Sequence, residues 1–250
     1  ERIMKMVDGV VLVVDAYEGA MPQTRFVLKE ALENNLKPIV VVNKVDKDSA
    51  RPDEVVDELL DLFIELGAND DQLEFKVVFA SATHGTSSLS SDITTQRETM
   101  NPILDLIVSE IPAPSVEKDG HLQFQGALLD YNEYVGRMAI GRIKKGTMRT
   151  NTMVSCMRLD GSIKSFRIQK LFSFLGLHRT EIEEAYAGDI VAVAGLADIN
   201  VGETICEVGY EESLPPIRIS EPTVEMYFSV NNSPFAGKEG KFVTSTKLEE

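Results

Sequence analysis

Three polar residues, Asn43, Lys44 and Asp46, form an N-K-x-D tetrapeptide directly behind an apolar run. The two oxygens of the Asp46 carboxylate can accept hydrogen bonds from two adjacent N–H donors. Guanine presents such a pair, N1–H and the 2-amino group, on one edge, whereas adenine has an acceptor at N1 and no 2-amino group. Adenine would leave a buried carboxylate unpaired, which costs more free energy than a typical hydrogen bond supplies. The tetrapeptide therefore predicts recognition of a guanine base.

The residues around Asp46 add to this prediction. Asn43 has both donor and acceptor capacity and can reach the base N7 while bracing its loop. Lys44 can lay its aliphatic stem over the ring face and keep its ammonium group in a polar environment. In "VFASATHG", Ser81 and Ala82 follow the next apolar run, and the Ala82 backbone N–H is expected to donate to guanine O6. For Ser81 alone, a turn residue at a strand end is the alternative interpretation.

These residues must be positioned by the elements that precede them. The run "KPIVVV" (37–42) is short and β-branched, which predicts a strand buried on both faces of a parallel sheet. Open α/β sheets bind their ligands at the carboxyl ends of such strands. Strands and helices alternate over this region, which predicts right-handed crossovers. The predicted strands are Gly9–Ala16, Ile39–Val42 and Phe75–Ala82, and the predicted helices are Met21–Leu36, Pro52–Leu66 and Asn101–Ile111.

Finer expectations follow for these elements. Gly9–Ala16 is predicted to be a buried strand, and Phe26 is predicted to share one face of its helix with Ala31 and Leu32. Asn101 is expected to cap the last helix. The polar stretch Thr83–Glu98 is predicted to be an exposed insertion.

After a proline-marked linker the pattern changes to short strand-length runs separated by Gly, Asn and Asp, which is typical of an all-β barrel. A second linker leads to one more strand, Val224–Val230, in a piece too short to bury a core. The predicted organisation is a partial nucleotide-binding domain at 1–112, a linker at 113–120, a barrel at 121–210, a linker at 211–222 and the beginning of a third domain at 223–250.

The formal net charge of −15 argues against casual affinity for nucleic acid, but the charges are segregated along the chain. From Arg137 to Arg179 there are ten Lys and Arg residues and a single acid, Asp160. Two interpretations remain open for this stretch: a solvated barrel face, or contact with RNA phosphates. The candidate contacts are Arg137, Arg142, Lys144, Lys145, Lys164, Arg167 and Lys170.

The remaining reactive side chains predict no catalytic or metal site in this chain. Cys156 and Cys206 lie in separate strand-like runs and are expected to be core thiols in a reducing compartment. Three histidines, His84, His121 and His178, lie outside any nucleophile arrangement and are expected in loops or solvent. No apolar run approaches the ~20 residues that a membrane-spanning helix needs.

Taken together, these segments resemble a known family. "VDAYEGAMPQT", "NKVD" and "SA" are similar to the latter half of a translational GTPase G domain, and the barrel resembles the second domain of such factors. "NNSPFAGKEGKFVTS" (Asn231–Ser245) closely resembles the opening of the third domain in the TypA/BipA ribosome-associated GTPases. The resemblance implies the C-terminal half of a P-loop GTPase domain, an elongation-factor-type β-barrel, and the start of a ferredoxin-like α/β domain.

The resemblance also implies a function. The intact protein is expected to use GTP with Mg²⁺, to hydrolyse it to GDP and phosphate as a conformational switch, and to bind ribosomal RNA and ribosomal proteins in the cytoplasm, with a link to stress responses. Neither G-x-x-x-x-G-K-[ST] nor D-x-P-G-H occurs in these 250 residues. We therefore expect this chain to keep guanine recognition and to be inactive by itself. The alternative is a non-enzymatic ribosome- or RNA-binding adaptor with a vestigial nucleotide loop. No membrane or DNA partner is expected.

Overall fold

The computed structural model describes residues 2–176, 178–217, 224–227 and 229–230, and it divides the chain into two units, 1–217 and 218–250. The predicted third domain falls almost entirely outside the described residues. The strand predicted over Val224–Val230 is not formed at 224–227 or 229–230. A strand needs a neighbour for its ladder hydrogen bonds, and the described residues of this second unit contain no other strand.

The first half of unit 1 is an α/β layer. Its four-stranded sheet has the order β1-β2-β3-β4, in which the first three strands are parallel and β4 is antiparallel to β3. The strands are β1 (Gly9–Asp15), β2 (Lys37–Asn43), β3 (Lys76–Ser81) and β4 (Thr86–Ser88). The helices are α1 (Pro22–Glu33), α2 (Pro52–Glu65), α3 (Asp70–Leu73) and α4 (Asn101–Glu110), with short 3₁₀ turns at Ile3–Lys5 and Ile93–Thr95. The predicted alternation and the parallel sheet are confirmed.

The burial of β2 agrees with its position inside the sheet, between β1 and β3. Residues Ile39 to Val42 of β2 are all buried, as expected for a strand covered on both faces. Helix α2 buries one face, on which Val55, Leu59 and Phe63 recur at helical spacing and are fully buried. Its first turn carries two acids, which suit the positive end of the helix dipole.

Three finer predictions are wrong. Phe26 is 56% exposed, because α1 buries Leu28, Ala31 and Leu32 and position 26 points to another face. Strand β1 is not buried on both sides: it lies at the end of the sheet order, and alternate residues on one face are exposed, with Val13 at 57%. Asn101 is the first residue of α4 rather than its cap, and its N–H donates to Thr99 Oγ1 (3.1 Å).

The stretch Thr83–Glu98 is more than an exposed insertion. Its residues Thr86–Ser88 form β4, which pairs with β3, and Ser87 is 1% exposed. Gln96 Nε2 donates to the backbone oxygen of Phe79 (3.1 Å). Backbone pairing to the free side of β3 therefore holds a polar segment in place without an apolar pattern.

The second half of unit 1 is an antiparallel, barrel-like sheet with the strand order β11-β10-β13-β6-β5-β14-β8-β9, plus the small pair β12-β7. Phe166 of β9 and Leu171 of β10 belong to one core although their strands lie far apart in the sheet order, so the sheet curls around that core. The strands are β5 (Gln123–Asn132), β6 (Gly136–Lys145), β7 (Thr147–Arg149), β8 (Met153–Met157), β9 (Ile163–Arg167), β10 (Lys170–Leu175), β11 (His178–Ile182), β12 (Glu184–Tyr186), β13 (Ile190–Ala194) and β14 (Thr204–Glu207).

One buried arginine joins the two halves of unit 1. Arg142 of β6 is 8% exposed, and its guanidinium forms a two-pronged ion pair with Asp8, with Nη1–Oδ1 at 3.0 Å and Nη2–Oδ2 at 2.8 Å. It also donates to the backbone oxygens of Met6 and Gly188, both at 3.3 Å. Within the described part of the chain, no helix is long and apolar enough to cross a membrane.

Candidate guanine-binding site

The parallel register brings the predicted site residues to one edge of the sheet. Asp15, at the end of β1, is the register partner of Asn43, at the end of β2, and Asn43 is the partner of Ala80 in β3. Beyond these ends, Ala16 N–H donates to Asn43 O (2.8 Å), and Val45 N–H donates to Ala80 O (3.3 Å). The loops after all three strands are thus tied together at their first residues.

Asn43 joins the two predicted recognition loops directly. Its Oδ1 accepts the backbone N–H of Ala82 at 3.0 Å. The bracing role predicted for Asn43 is consistent with this contact. The same N–H is the one predicted to donate to guanine O6, so a base would have to share or replace Asn43 as its acceptor.

The Asp46 carboxylate lies beside Ser81, whose side chain comes from the other loop. A hydrogen bond from the Ser81 hydroxyl lowers the pKa of Asp46, and this outweighs the opposite effect of partial burial. Ser81 is 1% exposed, and the Asp46 side chain is 32% exposed. Asp46 is therefore ionised at neutral pH, and its carboxylate has lone pairs for donors besides Ser81.

Lys44 and Lys47 both contact a second carboxylate, that of Asp15. Their Nζ atoms lie 2.7 Å and 3.2 Å from Asp15 Oδ2, while Asp15 Oδ1 accepts the backbone N–H groups of Tyr17 (2.8 Å) and Glu18 (3.3 Å). Burial alone would raise the pKa of Asp15, but these hydrogen bonds hold it well below its usual range. The Asp15–Lys44 contact raises the pKa of Lys44.

Lys44 also has an unusual backbone, with φ at 68°, in the left-handed region. This conformation turns the chain sharply after β2, so that Asp46 folds back toward Ser81. The stem of Lys44 is about half exposed, at 49% for the side chain, and is available for a ring face.

His84 lies in an exposed loop, as the sequence predicted, but its contact with this site was not predicted. Its Nδ1 lies 2.9 Å from Ser81 Oγ and 3.7 Å from Asp46 Oδ2, and its backbone N–H donates to Ser81 Oγ (3.4 Å). The only available signal was its position three residues after Ser81, where a tight turn returns the chain to the serine.

Among the described residues, acids from other segments pair with several members of the basic stretch. Lys145 pairs with Glu117 (3.4 Å), Lys164 with Asp198 (3.0 Å) and Lys170 with Glu181 (2.7 Å). Other candidates are held by backbone oxygens: Arg137 donates to Ile199 O (3.3 Å) and Lys144 to Lys5 O (3.4 Å).

Arg142 is the clearest departure from the predicted RNA contacts. It is buried against Asp8, so its charge is already neutralised and its guanidinium cannot reach a phosphate without breaking that pair. Arg167 is exposed. The charge segregation seen along the sequence is thus largely removed in space, and RNA contact by this stretch stays a prediction.

Comparison with known proteins identifies two domain families in this chain. Residues 1–113 match the family described as the elongation factor Tu GTP binding domain, and residues 136–206 match elongation factor Tu domain 2. The chain is 64% identical over 250 residues to the large ribosomal subunit assembly factor BipA of Bacillus subtilis, covering 100% of this chain and 40% of that protein. The chain belongs to the TypA/BipA family. TypA/BipA relatives named in the same words include those of Escherichia coli K12 (50% identity over 248 residues; 99% of this chain, 40% of the relative) and Haemophilus influenzae (49% over 250; 100% and 40%).

The TypA/BipA assignment confirms the resemblance drawn from the sequence and the α/β-plus-barrel fold class. The chain spans 40% of the length of these curated relatives.

Proposed function

We propose that this chain supplies guanine recognition to a TypA/BipA protein that binds and hydrolyses GTP in its intact form. The observation that carries the proposal is the ionised Asp46 carboxylate, placed beside Ser81 where two strand-end loops are joined by the Asn43–Ala82 hydrogen bond. A carboxylate held at the mouth of a parallel sheet suits the paired N–H donors of guanine.

Each residue of the site has a proposed role. Asp46 accepts from guanine N1–H and the 2-amino group, and the Ala82 N–H, shared with Asn43 Oδ1, serves O6. Asn43 braces the two loops and contacts N7, while the Lys44 stem covers one ring face. Ser81 donates to Asp46 and so keeps the carboxylate ionised and oriented.

Phosphate chemistry belongs to the intact protein in this proposal. The described residues contain no group of three His, Cys, Asp or Glu side chains arranged for a metal, and the printed sequence has no P-loop motif. GTP with Mg²⁺ is proposed as the cofactor of the intact protein because residues 1–113 match the elongation factor Tu GTP binding domain, and this chain alone is expected to show no hydrolysis.

The name of these relatives, large ribosomal subunit assembly factor, supports the ribosome as the proposed partner. In this proposal, the γ-phosphate of GTP orders mobile segments of the intact cytoplasmic protein, and hydrolysis releases them, which changes its affinity for the ribosome.

The test is a titration of a fluorescent GDP analogue into the intact protein and into this chain, with Asp46→Ala and Asp46→Asn in each. We expect tight binding by the intact protein and a loss of about 100-fold or more with Asp46→Ala, because two hydrogen bonds to a charged group are removed. Asp46→Asn should recover affinity for a xanthosine analogue, whose C2 carbonyl accepts from the new amide.

Binding that does not depend on Asp46 in either protein, with both folded, would defeat the proposal. The adaptor alternative would then be preferred, with salt-dependent binding to ribosomes in the absence of nucleotide as its direct measurement. A saturable GTPase rate from this chain alone, abolished by Asp46→Ala, would contradict the expectation that it is inactive.

A further inference from the structure

The Ser81 hydroxyl is the meeting point of three groups. It lies 2.9 Å from His84 Nδ1, it accepts the backbone N–H of His84 at 3.4 Å, and its hydrogen bond lowers the pKa of Asp46, whose Oδ2 lies 3.7 Å from the same His84 nitrogen. A serine hydroxyl has one hydrogen to donate and two lone pairs that accept. The direction of that hydrogen decides whether Asp46 receives a donor from the protein.

The charge of Asp46 decides which way the Ser81 hydroxyl hydrogen points. The Asp46 carboxylate is ionised and is a stronger acceptor than a neutral imidazole nitrogen, so the serine hydrogen points to Asp46. His84 Nδ1 then has to carry a hydrogen itself, because two acceptors cannot face each other at 2.9 Å. The result is an ordered relay, from His84 Nδ1–H to Ser81 Oγ–H to Asp46.

We propose that His84 is a positioning residue for guanine specificity, which acts by fixing the Ser81 hydroxyl against Asp46. This inference rests on the proposed function. Ser81 is 1% exposed, whereas the His84 side chain is 62% exposed and contributes little burial of its own. The role of His84 is thus the hydrogen bond rather than packing.

The relay predicts which replacements work. The side-chain amide NH₂ of asparagine can occupy the place of Nδ1–H, whereas glutamine places its amide where Nε2 lies, and alanine offers no donor. His84→Asn should therefore bind a GDP analogue like the parent, while His84→Gln and His84→Ala should each lose about tenfold, the value of one hydrogen bond to a charged network.

The specificity readout uses inosine diphosphate, which lacks the 2-amino group. If His84 orients Asp46, the preference for GDP over inosine diphosphate should fall in His84→Ala and be restored in His84→Asn. On a Ser81→Ala background the His84→Ala change should add nothing, because the relay is already broken at its centre. All variants are made in the intact protein, with thermal unfolding as the check that they fold.

The outcomes separate the two proposals. If Asp46→Ala abolishes GDP binding and His84→Ala binds with parental affinity and preference, the positioning role is overturned and guanine recognition stands. An Asn variant as weak as the Ala variant would also overturn it. If Asp46→Ala leaves GDP binding unchanged, it is the proposed function that has failed.

Discussion

Asp15 shows how one carboxylate can organise a strand-end loop. It accepts from two backbone N–H groups and two lysines while its side chain is only 9% exposed. Asp15→Asn keeps the shape but removes the charge. We expect the free energy of unfolding to fall by about 1–2 kcal/mol at pH 7, since the pKa of Asp15 is held well below its usual range in the folded state.

This loss should depend on pH in a defined direction. A carboxylate with a lowered folded pKa stabilises the fold fully above its unfolded value of about 3.9, and the stabilisation declines as the pH falls further. The difference in unfolding free energy between the parent and Asp15→Asn, measured by urea denaturation, should therefore become smaller below about pH 4. Asp48→Asn, at an exposed carboxylate of the same loop region, is the matched control. A constant difference down to pH 2.5 would contradict the charge-based explanation.

At the scale of single residues, the sequence predicted which side chains meet because the carboxyl ends of parallel strands lie at one edge of the sheet. Asn43, Asp46, Ser81 and Ala82 come together as the strand order requires. The place of His84 depends on the turn after β3, whose backbone returns His84 to Ser81. No periodic pattern encodes such a turn, so the sequence predicted a loop or solvent histidine but not its contact with Ser81.

At the scale of the elements, burial in the barrel core lowers the reactivity of the Cys156 and Cys206 thiols. Burial, then the negative charge of Glu203, raises the pKa of Cys156 to about 12, and burial also raises the pKa of Cys206. Neither thiol should react with iodoacetamide at pH 8 in the folded protein, and both should react in urea. Mass spectrometry of the alkylated chain is the measurement. Fast native labelling of Cys156 would mean that β8 opens readily.

Strands β5 and β6 approach so closely that only glycine fits at position 141. A Cβ there would lie 1.9 Å from the backbone oxygen of Gln125 and 2.9 Å from the Phe124 ring. Gly141→Ala should lower the free energy of unfolding by about 3 kcal/mol or more. Gly120→Ala meets only the flexible Glu117 side chain and should cost far less in the same denaturation experiment.

The features that the sequence did not predict were missed for one physical reason. Strand β4 is polar and forms because β3 offers an unpaired side. The basic residues of the barrel are neutralised by Glu117, Glu181 and Asp198, which only the folded arrangement brings near. Apolar periodicity located the large strands, but pairing between distant polar residues leaves no local trace.

For the molecule as a whole, the Arg142–Asp8 pair connects the α/β layer to the barrel. Asp8→Asn would leave the Arg142 side chain, which is 9% exposed, without its counter-charge, so we expect a loss of about 2 kcal/mol or more in unfolding free energy. A double-mutant cycle with Arg142→Met should give a coupling free energy well above that of the exposed Arg149–Glu184 pair. Equal coupling free energies for both pairs would show that Arg142 does not join the two halves.

The Arg142 contacts have a further consequence for amide hydrogen exchange. The guanidinium holds Met6 O and the Asp8 carboxylate from the barrel side, although both residues precede β1 in the chain. The segment of residues 6–8 is therefore expected to unfold together with the barrel. In deuterated buffer, the amide of Met6, whose N–H donates to Ile3 O (2.9 Å), should exchange at the rate at which the barrel opens, even under conditions where the α/β layer opens first.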